Sequence, residues 1–323
     1  MVVYYGVAGL FAMLTVGLNL FLVLGALASF GATITLPGVA ALVLTIGMAV
    51  DANILIFERI REELKAGKSV FNAVVSGFDK AFSTIVDANV TTLITALILV
   101  WLGTGPVKGF GITLSAGILA TVFCSLITNR FLMENLVKLG LLKNPFRLQL
   151  FKDTKFSFLN YARPAFLASW SLVLIGAISF AFHFDEAFGI DFTGGDQVTV
   201  AFDRQLSTDE VQSVASDASF TTDTGETVPF GEVNLFFQKP LGAEREVMVL
   251  QTEPEKGEQF FASLQAAYPE AGLQNVGFTQ IGSAVGEEVT RSAILSILVA
   301  LFGILLYIAL RFEFGYGLGA VVA

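Results

Sequence analysis

Thr45-Ile46-Gly47-Met48-Ala49-Val50-Asp51-Ala52-Asn53-Ile54-Leu55-Ile56-Phe57 is an apolar run with one carboxylate at its centre. It continues directly into the charged run Glu58-Arg59-Ile60-Arg61-Glu62-Glu63. A bilayer core takes about 20 apolar residues as helix, and the segment 38–57 meets that length apart from Asp51. A carboxylate at mid-helix costs roughly 2.5–3.5 kcal/mol on insertion scales, so it needs a partner or a role. Two readings stand: a structural Asp51 hydrogen-bonded to a neighbouring helix, or an acid on an ion path, where low polarity favours the neutral form. The charged run that follows reads as a solvated helix end, with Arg59 and Glu63 spaced for an i,i+4 pair.

Working outward, five more segments are long and apolar enough to span: 5–30, 81–102, 109–129, 164–184 and 291–310. Hydrophobic residues make up 54% of the 323 positions and charged residues 15%, which places the chain among membrane proteins rather than soluble ones. The span after Asp51 repeats its tripeptide as Asp87-Ala88-Asn89, followed by Thr91 and Thr92. Asp87 is expected about two turns from the end of that span, within reach of water, and its structural and functional readings stand level. Asn19, Asn53, Asn89, Thr91 and Thr92 read as interhelical hydrogen-bonding groups, some of which can hold water along a proton path. No Lys or Arg falls at comparable depth in the six spans. Residues 69–79 have the pattern of an amphipathic helix lying at the interface.

Residues 185–290 differ in character. They hold 19 acidic and four basic residues, whereas the remainder carries a net charge of +6, so the overall −9 belongs to this island. Alternation of Val198, Val200 and Phe202 predicts a strand over 197–203. Ser207 with Glu210 three residues later predicts a capping box. Strands are expected at 231–238, 245–252 and 274–281, with a helix opened by Pro254 and carrying Phe260, Phe261 and Leu264. The order βαββαβ is that of a ferredoxin-like split sandwich. The expected architecture is therefore a polytopic α-helical membrane protein with an inserted extracytoplasmic α+β domain.

Loop charges set the orientation. The 58–80 connection carries five Lys/Arg and the 130–163 connection seven, while the turns near 31–37 and 103–108 contribute only Lys108. Basic loops face the cytoplasm, which leaves the acidic island outside. With one histidine, His183, and one cysteine, Cys124, the chain offers almost no ligands for zinc or haem, and no intrachain disulfide is possible. Gly189 to Gly195 lacks the Lys-Ser/Thr of a phosphate-binding loop and reads as a turn into a strand.

The 17-residue run from Gly47 to Glu63 resembles the membrane signature of the SecD–SecF export family. Asp87-Ala88-Asn89-Val90-Thr91-Thr92-Leu93-Ile94-Thr95-Ala96 and Gly103-Thr104-Gly105-Pro106-Val107-Lys108-Gly109-Phe110 resemble its next helices. Phe188-Gly189-Ile190-Asp191-Phe192-Thr193-Gly194-Gly195 and Arg311-Phe312-Glu313-Phe314 resemble the SecF-like part. The resemblance implies SecD-like helices over 1–137, a cytoplasmic linker over 138–163, a first SecF-like helix over 164–184, a periplasmic domain over 185–290, and a further helix with the start of another over 291–323. It also implies a member of the proton-driven resistance-nodulation-division superfamily, not an enzyme, that assists late Sec-dependent export of unfolded preprotein at the inner membrane. Protons are the coupling ion and no cofactor is expected. A relay of Asp51, Asp87, Asn53, Asn89, Thr91 and Thr92 is implied, with SecYEG, SecA, YajC and membrane lipids as partners and no nucleic acid. The runner-up is a small-molecule proton antiporter of the same superfamily. Tyr5-Gly6-Val7-Ala8-Gly9-Leu10 resembles Tyr316-Gly317-Leu318-Gly319-Ala320-Val321, which leads to the expectation that a second bundle repeat has only begun where the sequence stops.

Overall fold

The computed structural model describes residues 1–32, 34–141, 158–183, 189–221, 227–230, 233–239 and 246–312, with 315 and 319. It divides into two units, Met1–Phe156 with Ser292–Ala323, and Ser157–Arg291. The second member of the Tyr5/Tyr316 repeat and most of the basic linker lie outside the described residues.

Among the described residues, six helices are long and apolar enough to cross a membrane. In the first unit, α1 (Val7–Ser29) follows a helical turn that breaks at Gly6, which takes a positive φ of 59°. Helix α2 (Leu36–Lys65) is started by Thr35, whose hydroxyl accepts the Gly38 N–H at 3.2 Å, with Pro37 in the first turn. Helix α3 (Val70–Leu102) is capped by Ser69. Helix α4 (Gly105–Val122) passes through a π-helical segment, Phe123–Thr128, into α5 (Asn129–Lys138), so that one 34-residue element spans.

Small residues set how closely these helices pack. A Cβ on Gly77 would collide with Ile60, with its backbone N and Cα only 2.9 Å away, which locks α3 against α2. A Cβ on Gly117 would strike Thr45, and one on Gly111 would lie 2.9 Å from the Ala96 carbonyl. Around the first of these crossings Ile56, Phe57, Ile60, Phe78, Ile85 and Met133 form the main buried cluster. Two expectations fail here. Residues 69–79 are not a separate interfacial helix: all but Ser69, the cap, form the first third of α3, with Ala73, Val74, Gly77 and Phe78 buried. An apolar stripe has the same period whether it meets lipid or another helix, and Gly77 gives α2 the closer approach. Arg59 pairs with Glu62 at 2.7 Å rather than Glu63, because Glu63 is drawn inward between Lys68 and Lys80 at 2.5 Å each.

The basic residues gather at one end of this bundle. Arg130 reaches Asp79 at 2.8 Å, Lys138 lies over the Phe71 ring, and Arg61 bonds Glu58 and the Tyr4 hydroxyl. Residues 58–80 and 130–138, expected to face the same side, thus share one end.

In the second unit, α6 (Ala162–Phe182) is apolar apart from Arg163 and three serines and buries no residue. A helical turn, Ile190–Thr193, leads into β1 (Gly195–Ala201). There follow α7 (Thr208–Asp217), a short hairpin of β2 (Ser219–Thr221) with β3 (Thr227–Pro229), β4 (Asn234–Gln238), β5 (Val247–Thr252), α8 (Gly257–Ala267) and β6 (Gln274–Ile281). The main sheet has the order β4-β5-β1-β6, with every pair antiparallel. One face of it, through Val198, Val200, Met248 and Leu250, packs with Val211, Phe260 and Leu264 of α7 and α8. The capping box forms as expected: the Ser207 hydroxyl accepts the Glu210 N–H at 3.3 Å, and Glu210 accepts the Ser207 N–H at 2.8 Å. Helix α8 starts later than expected. Pro254 lies in a turn with Glu255 at φ 69°, and the helix opens at Gly257, whose N–H donates to the buried Asp196 carboxylate at 2.9 Å. Only a glycine fits so near Asp196, since a Cβ there would lie 2.6 Å from its Cβ. The β2–β3 hairpin was not foreseen. The last helix, α9 (Ser283–Arg311), carries the sixth apolar stretch and from Ser292 onward belongs to the first unit.

Candidate functional site

Asp51 stands at the midpoint of α2, 15 residues after Leu36 and 14 before Lys65. Its side chain is exposed on the bundle surface, in a crevice of about 100 Å³ between α2 and α3. Met48, Ala52 and Leu55 line it from α2, and Ile85, Ala88, Asn89 and Thr92 from α3. Among the described residues Asp51 has no hydrogen-bond or ion-pair partner. Asn89 donates to the Ile85 carbonyl at 2.7 Å, and Thr92 donates to the Ala88 carbonyl at 3.1 Å, so both crevice-lining side chains are tied back to α3.

The other face of α3 forms a second site. Asp87, Thr91, Ser83 and Thr84 line a wider crevice of about 640 Å³ with Tyr307, Ile308, Arg311 and Phe312 of α9. Tyr307 donates its hydroxyl to Asp87 Oδ1 at 2.7 Å, and Arg311 Nε donates to the same oxygen at 2.9 Å. Helix α9 runs antiparallel to α3: Ser292 bonds the Leu102 carbonyl, Gly303 faces Ile94 and Ile98, and Tyr307 and Arg311 reach Asp87. This corrects two expectations. Asp87 is not a shallower group than Asp51, for Ile85, Ala88 and Asn89 on either side of it line the Asp51 crevice. A cation does reach that depth, and it serves Asp87 rather than Asp51. Arg311 looked like the terminus of a span, and its long side chain carries the charge back along the bundle.

Of the six implied relay residues, Asp51, Asn89 and Thr92 come together, and Asp87 and Thr91 form the neighbouring site. Ala88 lies in the wall between the two, its carbonyl accepting from both Thr91, at 2.8 Å, and Thr92. Asn53 is elsewhere: fully buried, it donates to the Ala49 carbonyl and accepts from Asn129 Nδ2 at 2.7 Å. Of the expected interhelical hydrogen-bonding groups, Asn53 and Asn19 cross between helices, the latter to Thr121 at 2.8 Å, while Asn89, Thr91 and Thr92 bond within α3. Tyr307 and Asn129 were missed. Each is a polar group in an apolar run, a signal too common to single out either one.

The family model described as protein export membrane protein SecD/SecF, C-terminal, matches residues 1–139 and 262–323. The chain belongs to this SecD/SecF family. The protein translocase subunit SecDF of Brucella abortus biovar 1 is 35% identical over 330 residues, covering 100% of this chain and 42% of the relative. That of Bacillus subtilis is 32% identical over 342 residues, covering 44% of the relative. The crystal structure of SecDF from Thermus thermophilus, described as a translocon-associated membrane protein, superposes with a TM-score of 0.79 at 34% identity, covering 99% of this chain and 42% of that one. The SecD/SecF-family chain thus spans about two fifths of the length of these relatives. Its six apolar helices make it a multi-pass membrane protein.

Proposed function

We propose that this SecD/SecF-family chain forms the proton-coupled membrane part of a factor that assists late protein export, with Asp51 as the acid that takes up and releases the proton. The observation that carries the reading is the Asp51 crevice: an acid at mid-helix, unpaired among the described residues, lining it with Asn89 and Thr92 of α3. A carboxylate at such depth marks an ion path more often than a packing contact. The Asp87–Tyr307–Arg311 cluster, separated from it by Ala88, is a second ionisable site able to sense the first through α3. The relatives' description as protein translocase subunits supports export as the task. On this reading the client is unfolded preprotein, the neighbours are SecYEG, SecA and YajC, and the setting is the bacterial inner membrane. The sheet order β4-β5-β1-β6 with two helices on one face supports a ferredoxin-like domain, held outside the cytoplasm by the positive-inside rule. The protein acts by transport rather than catalysis, as a member of the resistance-nodulation-division superfamily.

Asp51→Asn keeps the shape and removes the ionisation. In proteoliposomes holding the protein at its full natural length, it should insert normally, lose proton flux and lose stimulation of preprotein export. One elementary charge crossing 100 mV is worth roughly 2.3 kcal/mol, so its loss removes the driving term. Wild-type proton flux in the variant would make Asp51 a packing residue and sink the proposal.

A further inference from the structure

A polar column runs through the middle of the bundle, away from both crevices. Thr121, Ser125 and Asn129 recur every four residues along α4, the π segment and α5, all of them 0–1% exposed. Asn19 of α1 joins at Thr121 and Asn53 of α2 at Asn129. Elsewhere in the same bundle Thr15, Thr45, Thr113 and Ser115 each donate to a backbone carbonyl one turn back, on Ala12, Leu42, Gly109 and Gly111, the buried Ser296 of α9 being an exception. Ser125 does not. It sits in the π segment, where the wider turn shifts the carbonyls out of that register. Three buried atoms of the column, Asn19 Oδ1, Ser125 Oγ and Asn129 Oδ1, have no partner among the described residues.

Flipping amides does not cure this at Asn129. Turning Asn129 alone would set its oxygen against the Asn53 oxygen, and turning both would set the Asn53 oxygen against the Ala49 carbonyl it now serves as donor. The cluster therefore leaves three oxygens without a donor in a place where buried polar groups are almost always paired. What it needs is a small donor. A cation would supply attraction but no carboxylate belongs to the cluster, and an uncompensated charge in the core is far more costly than a neutral guest. Water donates two hydrogen bonds and accepts two, and buried waters bridge groups of this kind.

We propose that the α1/α2/π-segment core is a built hydration site, in which bound water bridges Asn19, Ser125 and Asn129. Water in this position stabilises the π segment by satisfying what its geometry leaves open, and makes that segment the point where the α4–α5 element can bend. The site is independent of Asp51 as a proton carrier.

Hydroxyl radicals generated from water by a synchrotron beam label side chains beside bound water even where bulk solvent is excluded. With the full-length protein in lipid nanodiscs, Cys124 and Leu126, which flank Ser125 and are 1% and 5% exposed, should be labelled several-fold faster in the wild type than in Ser125→Ala or Asn19→Leu. Leu126 should also exceed Ile56 and Ile60, aliphatic residues buried to 0% in the same bundle. Ser125→Ala should lower the melting temperature, because water loses a partner, whereas removing an orphaned hydroxyl would raise it. Equal labelling in wild type and variants, a raised melting temperature, or labelling that vanishes when Na⁺ replaces a bulky organic cation would each overturn the proposal, the last by putting an ion where water is assigned.

Discussion

Asp51 and Asp87 share a tripeptide and a level in the bundle, yet their surroundings differ. Asp51 faces a small crevice without a counter-charge, whereas Asp87 accepts from Tyr307 and Arg311 on one oxygen. Asp87 is 18% and Arg311 47% exposed at the side chain, so the pair is partly screened where water or headgroups reach it. Removing one member leaves the other without its partner, which costs more than removing both. Asp87→Asn and Arg311→Gln should each destabilise α9 against α3, while the double variant should lose less than their sum. Denaturant titration of the four proteins in detergent measures it, and strict additivity would show that the contact has no energetic content. Tyr307→Phe removes one donor and keeps the ion pair, so its effect should be smaller.

The elements are held by devices that act within a few residues. The α7 capping box satisfies two backbone groups at once, and Ser207→Ala should cost the soluble domain about 1 kcal/mol. The Ser207 backbone N–H, followed by the nearby Arg204 and the Ser207 hydroxyl, holds the Glu210 carboxyl below the usual glutamate range. A carboxyl depressed in the fold contributes stability above its unfolded value and loses it as pH falls through the folded one. In residues 185–290 expressed alone, a cooperative thermal transition is expected, with Glu210→Gln less stable than wild type near neutral pH. The gap should close as pH drops below the ordinary glutamate range. A gap independent of pH would assign the glutamate's contribution to shape rather than charge.

At the scale of the whole chain, orientation follows from charge. Lys68, Lys80, Arg61, Arg130 and Lys138 collect at one end of the membrane bundle, the end that the positive-inside rule predicts to be cytoplasmic. In a Cys124→Ala background, a membrane-impermeant thiol reagent applied to intact cells should label a cysteine at Ser216, exposed on α7, and spare one at Ser69, exposed at the start of α3. Labelling at 69 but not 216 would reverse the assignment. The six spans, the acidic island, the capping box and the strand at 274–281 were legible because each is written in neighbouring residues: hydropathy over 20 positions, alternation over eight, a serine three places before a glutamate. Helix α8 began later than Pro254 indicated because its opening N–H is satisfied by Asp196, distant in sequence. The stretch 69–79 was misread because an apolar stripe does not say what covers it, and only Gly77 against Ile60 decides that. The same limit governs the site. Sequence by itself determined that Asp51 and Asp87 are acids inside apolar helices, since burial of a charge is a property of its own segment. Which of them has a cation was decided only in three dimensions, where Tyr307 and Arg311 arrive from 220 and 224 residues away. An ion pair acts over a few ångströms of space, and nothing in the spacing of a chain records that distance.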